Sequence, residues 1–392
     1  MVGRHWFMKR FWFPMVVIGV LSIFIITGCS NDKEEVENDP PLNEDDDTLV
    51  VAIPADMASQ DIHNHNSTLT ESIHVNMYDY LFQKNEEGEI EPHLIEEYEN
   101  IDDHTWEFVL KEGVTFHNGD ELTAEDVKFT LERVAHDESL REHFQYEQID
   151  EVEVVDDYHF KIHTIDPDPI LLNRLSRIGS GILPKDYIDE NGWEHFLENP
   201  IGTGPFTFVD WSRDSEIVYE VYDDYFDGAV EDWNKLVFRV VPEDSTRVAE
   251  LLTGGVDIAL NVPNHEWDRI DDNEGTKMES TTSQRVAMYL LRFQEEYPTS
   301  DPRVREAIDL AINNEVLTEN VLGGGGVPVR SRVTPGNMGA NEDLYDTFNY
   351  DPERAKELLK EAGYGDGLEI TLNGPSGRYT KDRDVQEMVA AM

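Results

Sequence analysis

The chain has 392 residues, 39% of them hydrophobic and 10% aromatic, which suits two or three domains with apolar cores and rules out a fully disordered chain. It carries 83 acidic against 31 basic residues, a net charge of −52 that repels phosphate backbones and argues against nucleic acid as a partner. A single cysteine, Cys29, excludes an internal disulfide and a cysteine-rich zinc site. The acid is spread along the whole chain, as in a solvated shell suited to salty or alkaline surroundings outside a cell.

Arg4, Lys9 and Arg10 make a basic start, Phe11 to Ile26 is an uncharged apolar run, and Ile26-Thr27-Gly28-Cys29 closes it. Small residues before a cysteine admit a signal peptidase, and the thiol can then carry a diacylglycerol whose two chains suffice for anchoring. Residues 1–28 are therefore read as a lipoprotein signal peptide and Cys29 as the lipid attachment point. The pattern resembles a bacterial lipobox, with Ile26 where leucine is usual. The rival reading is an uncleaved transmembrane anchor, since the uncharged run approaches the roughly 20 residues a span needs. Residues 29–48, acidic and interrupted by Pro40-Pro41, read as an extended tether.

The folded body is expected to start at Leu49–Ile53, a short β-rich run, and strands and helices alternate from there, which predicts an α/β fold. His63-Asn64-His65, with His74 nearby, is the cluster most like a metal site, but it reads as a polar loop after the first strand. Trp106, Phe108 and Leu110 have the period of one buried strand face. Asn118-Gly119 signals a tight turn, and Thr123 with Asp126 forms a near capping box before a helix with Val127, Leu131 and Val134 on one face. His159 and His163 alternate with Phe160 and Ile162 and belong to the solvent side of a strand. Gly254-Gly255 ends a helix and leads into a strand over 256–260. Asp301-Pro302 and Asp351-Pro352 are each an N-cap followed by a first-position proline. The first opens a stripe of Val304, Ala307, Ile308, Ala311 and Ile312; the second buries Ala355, Leu358, Leu359 and Ala362 before Gly363 stops the helix. Val385, Met388, Val389 and Met392 share a helical face that stops without a cap, so the chain is expected to continue beyond Met392.

Catalytic signatures do not appear. Gly323–Gly326 lacks the lysine and hydroxyl of a phosphate loop, Gly202-Thr203-Gly204-Pro205 is too short for a dinucleotide fingerprint, and His265-Glu266 lacks a second histidine four residues after the first. Neither an enzyme nor a cofactor is expected.

Five blocks then occur in one order. They are Trp106-Glu-Phe-Val-Leu-Lys-Glu-Gly-Val-Thr-Phe-His-Asn-Gly-Asp-Glu-Leu-Thr-Ala-Glu-Asp-Val127, Pro200-Ile-Gly-Thr-Gly-Pro-Phe206, Leu251-Leu-Thr-Gly-Gly-Val-Asp-Ile-Ala259, Asp301-Pro-Arg-Val-Arg-Glu-Ala-Ile308 and Tyr350-Asp-Pro-Glu-Arg-Ala-Lys-Glu-Leu-Leu-Lys-Glu-Ala-Gly-Tyr364. Together they resemble family 5 solute-binding proteins, the extracytoplasmic receptors of peptide and nickel ABC importers. The resemblance implies a periplasmic-binding-protein-like (type II) α/β fold of two lobes on a hinge, closing over an extended peptide-like ligand. Lobe I is placed at 49–276, with an inserted subdomain at about 76–198, and lobe II, truncated, at 277–392.

The resemblance further implies capture of oligopeptides or dipeptides and delivery to ABC permease subunits in the membrane, by a receptor held on the outer face of the cytoplasmic membrane. A monomer is expected. Nickel chelates or other small solutes are the alternative within the family, and an extracellular hydrolase lies outside it. For the ligand site it points to Ser67, Thr68 and Leu69 after the first strand, and to Leu260, Asn261 and Val262 after the strand at Val256. Arg378, in Pro375-Ser-Gly-Arg378, resembles an arginine that dipeptide-binding relatives place on the ligand carboxylate, a task suited to a two-pronged guanidinium.

Overall fold

The structure, a computed structural model, describes residues 47–85, 88–281, 283–337, 339–375, 379 and 381–392. All of them belong to one unit, Pro40–Met392. The expected signal segment, Cys29, nearly all of the expected tether and Arg378 lie outside the described residues.

Eleven described strands form three sheets. They are β1 (Thr48–Ile53), β2 (Phe82–Lys84), β3 (Ile90–Pro92), β4 (Ile95–Asp102), β5 (Thr105–Leu110), β6 (Ile149–Val154), β7 (His159–Thr164), β8 (Phe206–Ser212), β9 (Glu216–Val221), β10 (Lys235–Val240) and β11 (Ile258–Ala259). The first sheet has the order β11-β1-β10-β9-β8, with β1 parallel to both of its neighbours and β8, β9 and β10 antiparallel in turn. Val51 and Ile53 point into one core cluster and Val50 and Ala52 into another, so β1 is buried on both faces. That is why its sequence is continuously apolar rather than alternating. The helix Asp244–Leu252 carries the chain from β10 to β11 and lays Leu251 on the Val50–Ala52 side.

The second sheet, β4-β5-β7-β6, is wholly antiparallel and buries one face. Phe108, Leu110, Phe160 and Ile162 pack there against Val127, Leu131 and Val134 of α2 (Ala124–His136). The expected alternation of β7 holds, with His159 and His163 on the wetter side and Phe160 and Ile162 buried. The capping box at α2 is present: the Asp126 carboxylate accepts from both the Thr123 amide and its hydroxyl at 2.9 Å.

Both Asp-Pro helices form as expected, over Pro302–Ala311 and Pro352–Glu361, each capped by its aspartate. They pack through Ala307, Ala355 and Leu358, with Ala311 and Leu359 at the edge. The last helix, Asp382–Ala391, leaves Val385, Met388 and Val389 half-buried and Met392 exposed. Among the described residues no helix is long and apolar enough to cross a membrane.

The Gly202-Thr203-Gly204 run holds two parts of the body in contact. His117 donates its amide to the Gly202 carbonyl, Gly204 donates to the Met77 carbonyl at 2.9 Å, and Thr203 donates its hydroxyl to the buried Asp79. The glycines are there because the Met77 backbone leaves no room: a Cβ on Gly202 would lie 2.1 Å from the Met77 oxygen. Gly202→Ala is expected to cost about 1–3 kcal/mol by overpacking, read as a lower melting temperature. An unchanged melting temperature would show that this contact yields freely.

Candidate functional site

Three parallel strands end on one side of the first sheet, and the segments that leave those ends carry the expected ligand residues. The crevice beyond the carboxyl ends of parallel strands is where open α/β sheets bind ligands. After β1 the chain runs to Ser67, which caps α1 (Thr68–His74) by accepting from the Thr70 amide. After β11 it reaches Leu260, Asn261 and Val262. Leu69 and Leu260 both pack on the core cluster that holds Ile53, so the two segments share one apolar footing.

The strand at 256–260 is shorter than expected, with only Ile258 and Ala259 in regular pairing. The chain turns away at Asn261, whose φ of +57° is left-handed. Asparagine tolerates that region better than most side chains. The carbonyls of Leu260 and Asn261 are taken by Arg247 rather than by a neighbouring strand, and the Val262 carbonyl accepts from the Trp267 indole at 3.2 Å.

Arg247 is fully buried, which the sequence did not announce for a charged residue in a helix with many exposed positions. Arg285 is a second residue that sequence reasoning missed. Its guanidinium donates to the Thr68 hydroxyl at 2.9 Å and lies 4.8 Å over the ring of Tyr379, next in chain to Arg378. It thereby connects the Ser67–Leu69 segment to Tyr379. A cleft of 590 Å³ opens just past Val262, lined among others by Pro263, Asn264, Leu322, Gly323 and Met388. Leu260, Asn261 and Val262 border its walls in sequence but do not line it.

The reading of His63-Asn64-His65 as a polar loop needs correction. The segment is a loop, but His63, His65 and His74 are buried beneath it. The hydrogen bonds of these rings fix the tautomers, and of their six ring nitrogens only Nε2 of His74 lacks a partner. His63 donates from Nε2 to the Gly179 carbonyl at 3.0 Å, while its Nδ1 faces an Arg133 N–H. Arg133 in turn holds Asp61 through two hydrogen bonds and stacks on Trp193 at 3.9 Å. Nδ1 of His65 accepts from the Ser67 amide, and its Nε2 donates to Nδ1 of His74 at 3.3 Å.

Elsewhere His117 accepts on Nδ1 from the Gly202 amide and donates from Nε2 to the Gly204 carbonyl. Burial lowers all four, to about 3 for His63 and His74 and about 4 for His65 and His117. Among the described residues no group of three or more histidine, cysteine or acidic side chains is placed to hold a metal ion.

A mixed α/β body whose parallel strand ends lead into the two expected ligand segments has the form of a binding protein. The chain belongs to the bacterial extracellular solute-binding proteins, family 5, whose pattern (family 5 Middle) matches residues 89–392. The glutathione-binding protein GsiB of Salmonella paratyphi A is 28% identical over 340 residues, covering 86% of this chain and 66% of that protein. The chain thus spans just under two thirds of that relative's length.

Two solved structures are similar. DppA from Helicobacter pylori, in complex with peptide STSA, superposes with a TM-score of 0.70 at 27% identity, covering 82% of this chain and 67% of that one. AgaA from A. tumefacien R10, in complex with agropinic acid, superposes with a TM-score of 0.75 at 25% identity, covering 88% and 70%. The expected type II binding-protein fold is therefore the fold of this chain, and the relatives are solute-binding proteins, not enzymes.

Proposed function

We propose that this protein is the substrate-binding receptor of an ABC importer, capturing a short peptide or peptide-like solute outside the cytoplasmic membrane and passing it to the permease subunits. The observation that supports the reading is that Leu69 and Leu260, one from each expected ligand segment, pack on the same core cluster as Ile53 at the end of β1, in a chain of this family. Residues 49–276 form lobe I, with a subdomain inserted at about 76–198, and residues 277–392 belong to lobe II. Ser67, Thr68, Leu69, Leu260, Asn261 and Val262 line the first-lobe side, and Arg378 holds the ligand carboxylate.

The binding relatives that support a peptide-like ligand are the glutathione-binding protein and the peptide-bound DppA. Calorimetric titration of the full-length protein with reduced glutathione, with the tetrapeptide Ser-Thr-Ser-Ala and with Ni²⁺ tests the reading. Saturable binding of either peptide supports it. Tight binding of bare Ni²⁺ with no peptide bound would overturn it.

The receptor works as a monomer, held to the membrane by a diacylglycerol on Cys29. The basic, apolar, small-residue, cysteine order of residues 4–29 supports the anchor. Cys29→Ala is expected to move the protein from the membrane fraction to the medium or to leave its signal uncleaved. A variant that is processed and membrane-held like wild type would contradict the lipid anchor.

A further inference from the structure

We propose that Arg247 is a positioning residue for ligand binding: it locks Leu260-Asn261-Val262 into the conformation that faces the ligand. This rests on the peptide-receptor reading and adds to it the residue that shapes one wall of the site.

The observation is a complete hydrogen-bond inventory. A guanidinium has five N–H donors in a rigid fork. Here Nε donates to the Leu260 carbonyl at 3.1 Å. One terminal nitrogen donates to the carbonyls of Val241 at 2.7 Å and Pro242 at 2.9 Å. The other donates to the Asn261 carbonyl at 3.1 Å and to the Asp244 carboxylate at 2.6 Å. All five donors are used, in a side chain that is 1% exposed.

The four carbonyls come from the exits of two different strands, β10 and β11. Between those strands lies β1, whose own exit carries Ser67–Leu69. Arg247 therefore fixes the spacing of strand exits across the sheet edge where the candidate site lies.

A buried arginine that only filled space would be replaceable, because burying a guanidinium carries a desolvation cost that packing alone does not require. What the fork supplies is direction. It aims two successive carbonyls, of Leu260 and Asn261, inward, and the chain meets that demand by taking φ +57° at Asn261. With both carbonyls committed inward, the Asn261 side chain, whose residue is exposed, stays outside. A site organised before the ligand arrives loses less ordering entropy on binding.

Arg247→Lys in the full-length protein tests this. Lysine keeps the charge and much of the length but replaces the fork by a single point of donation. Two readouts are taken at a temperature where circular dichroism shows the variant folded. The first is affinity for glutathione and for Ser-Thr-Ser-Ala by calorimetry, expected to fall at least tenfold. The second needs no ligand: the indole N–H resonance of Trp267, which donates to the Val262 carbonyl, is expected to shift or vanish. The indole of Trp211, held by Asp56 at 2.9 Å, is expected to stay unchanged.

Affinity within twofold of wild type in the folded variant would overturn the proposal, as would an unmoved Trp267 signal or equal disturbance of both indoles. If wild type binds neither peptide, the peptide-ligand reading fails, while the indole pair still judges whether Arg247 holds the segment. Should Arg247→Lys not fold, Asp244→Asn removes only the ion pair. It is expected to shift the Trp267 signal and weaken binding about threefold, and no change in either would overturn the proposal.

Discussion

Acidification from pH 7 to 4.5 is expected to destabilise the folded body steeply, through four histidines that the fold holds neutral. His63, His65, His74 and His117 each present one ring nitrogen to a donor, namely Arg133, the Ser67 amide, the His65 Nε2–H and the Gly202 amide. A second proton on any of these rings would set donor against donor in a buried place. In the unfolded chain the same rings take up protons near pH 6.5. Their folded values lie lower, at about 3 to 4, so the unfolded state binds more protons over the interval between.

Stability is then fully present above about pH 6.5 and falls as pH drops toward 4, by about 1.4 kcal/mol per histidine per pH unit. At pH 4.5 the four together amount to on the order of 10 kcal/mol, comparable with the whole stability of a typical domain. Asp126 and Glu142 act in the opposite sense, because burial raises both carboxyls. They are two against four. Melting temperatures across pH 7.5 to 4.5 check the result, with His117→Asn as a control whose amide can both accept from Gly202 and donate to Gly204. The control should lose about a quarter of the slope. A melting temperature that stays level between pH 7 and 5 would contradict the buried-histidine account.

Replacing Arg378 by alanine is expected to weaken peptide capture by about 30- to several-thousand-fold, the 2–5 kcal/mol typical of breaking a buried, hydrogen-bonded charge pair. The expectation follows from the proposed role, in which the guanidinium meets both oxygens of the ligand carboxylate in a closed cleft. Arg378→Lys should recover only part of the loss, since an ammonium cannot reproduce the two-pronged fork. Wild type should likewise bind a peptide amide far more weakly than the free acid. A solvated loop arginine would change affinity by less than about 1 kcal/mol. Equal binding of acid and amide by wild type, or intact affinity in Arg378→Ala, would remove Arg378 from the site.

What the sequence made legible was local. The continuous apolar run of β1, the two-residue period of β5 and β7, the Thr123–Asp126 cap and both Asp-Pro helix starts depend on neighbours a few residues away. All of them formed as read. What it concealed was long-range. His63 looks like part of a wet loop until Arg133 and Gly179, far along the chain, close over it.

The Gly202-Thr203-Gly204 run gave no sign that its glycines answer to the Met77 backbone, 125 residues earlier. Arg247 looked like one more helix charge, because its acceptors lie on two strand exits that only the sheet order brings together. The candidate site was legible as two short segments through the family resemblance, and their shared footing on one core cluster required the fold.

A receptor that holds a peptide-like solute tightly enough to supply an importer should retain its cargo through gentle purification. Native mass spectrometry of the full-length protein, followed by denaturing release and fragmentation of whatever dissociates, weighs that cargo directly. A mass excess is expected that releases peptides with free carboxyl termini and is lost in Arg378→Ala. A released species that is a metal ion, or a sugar without any peptide bond, would contradict it.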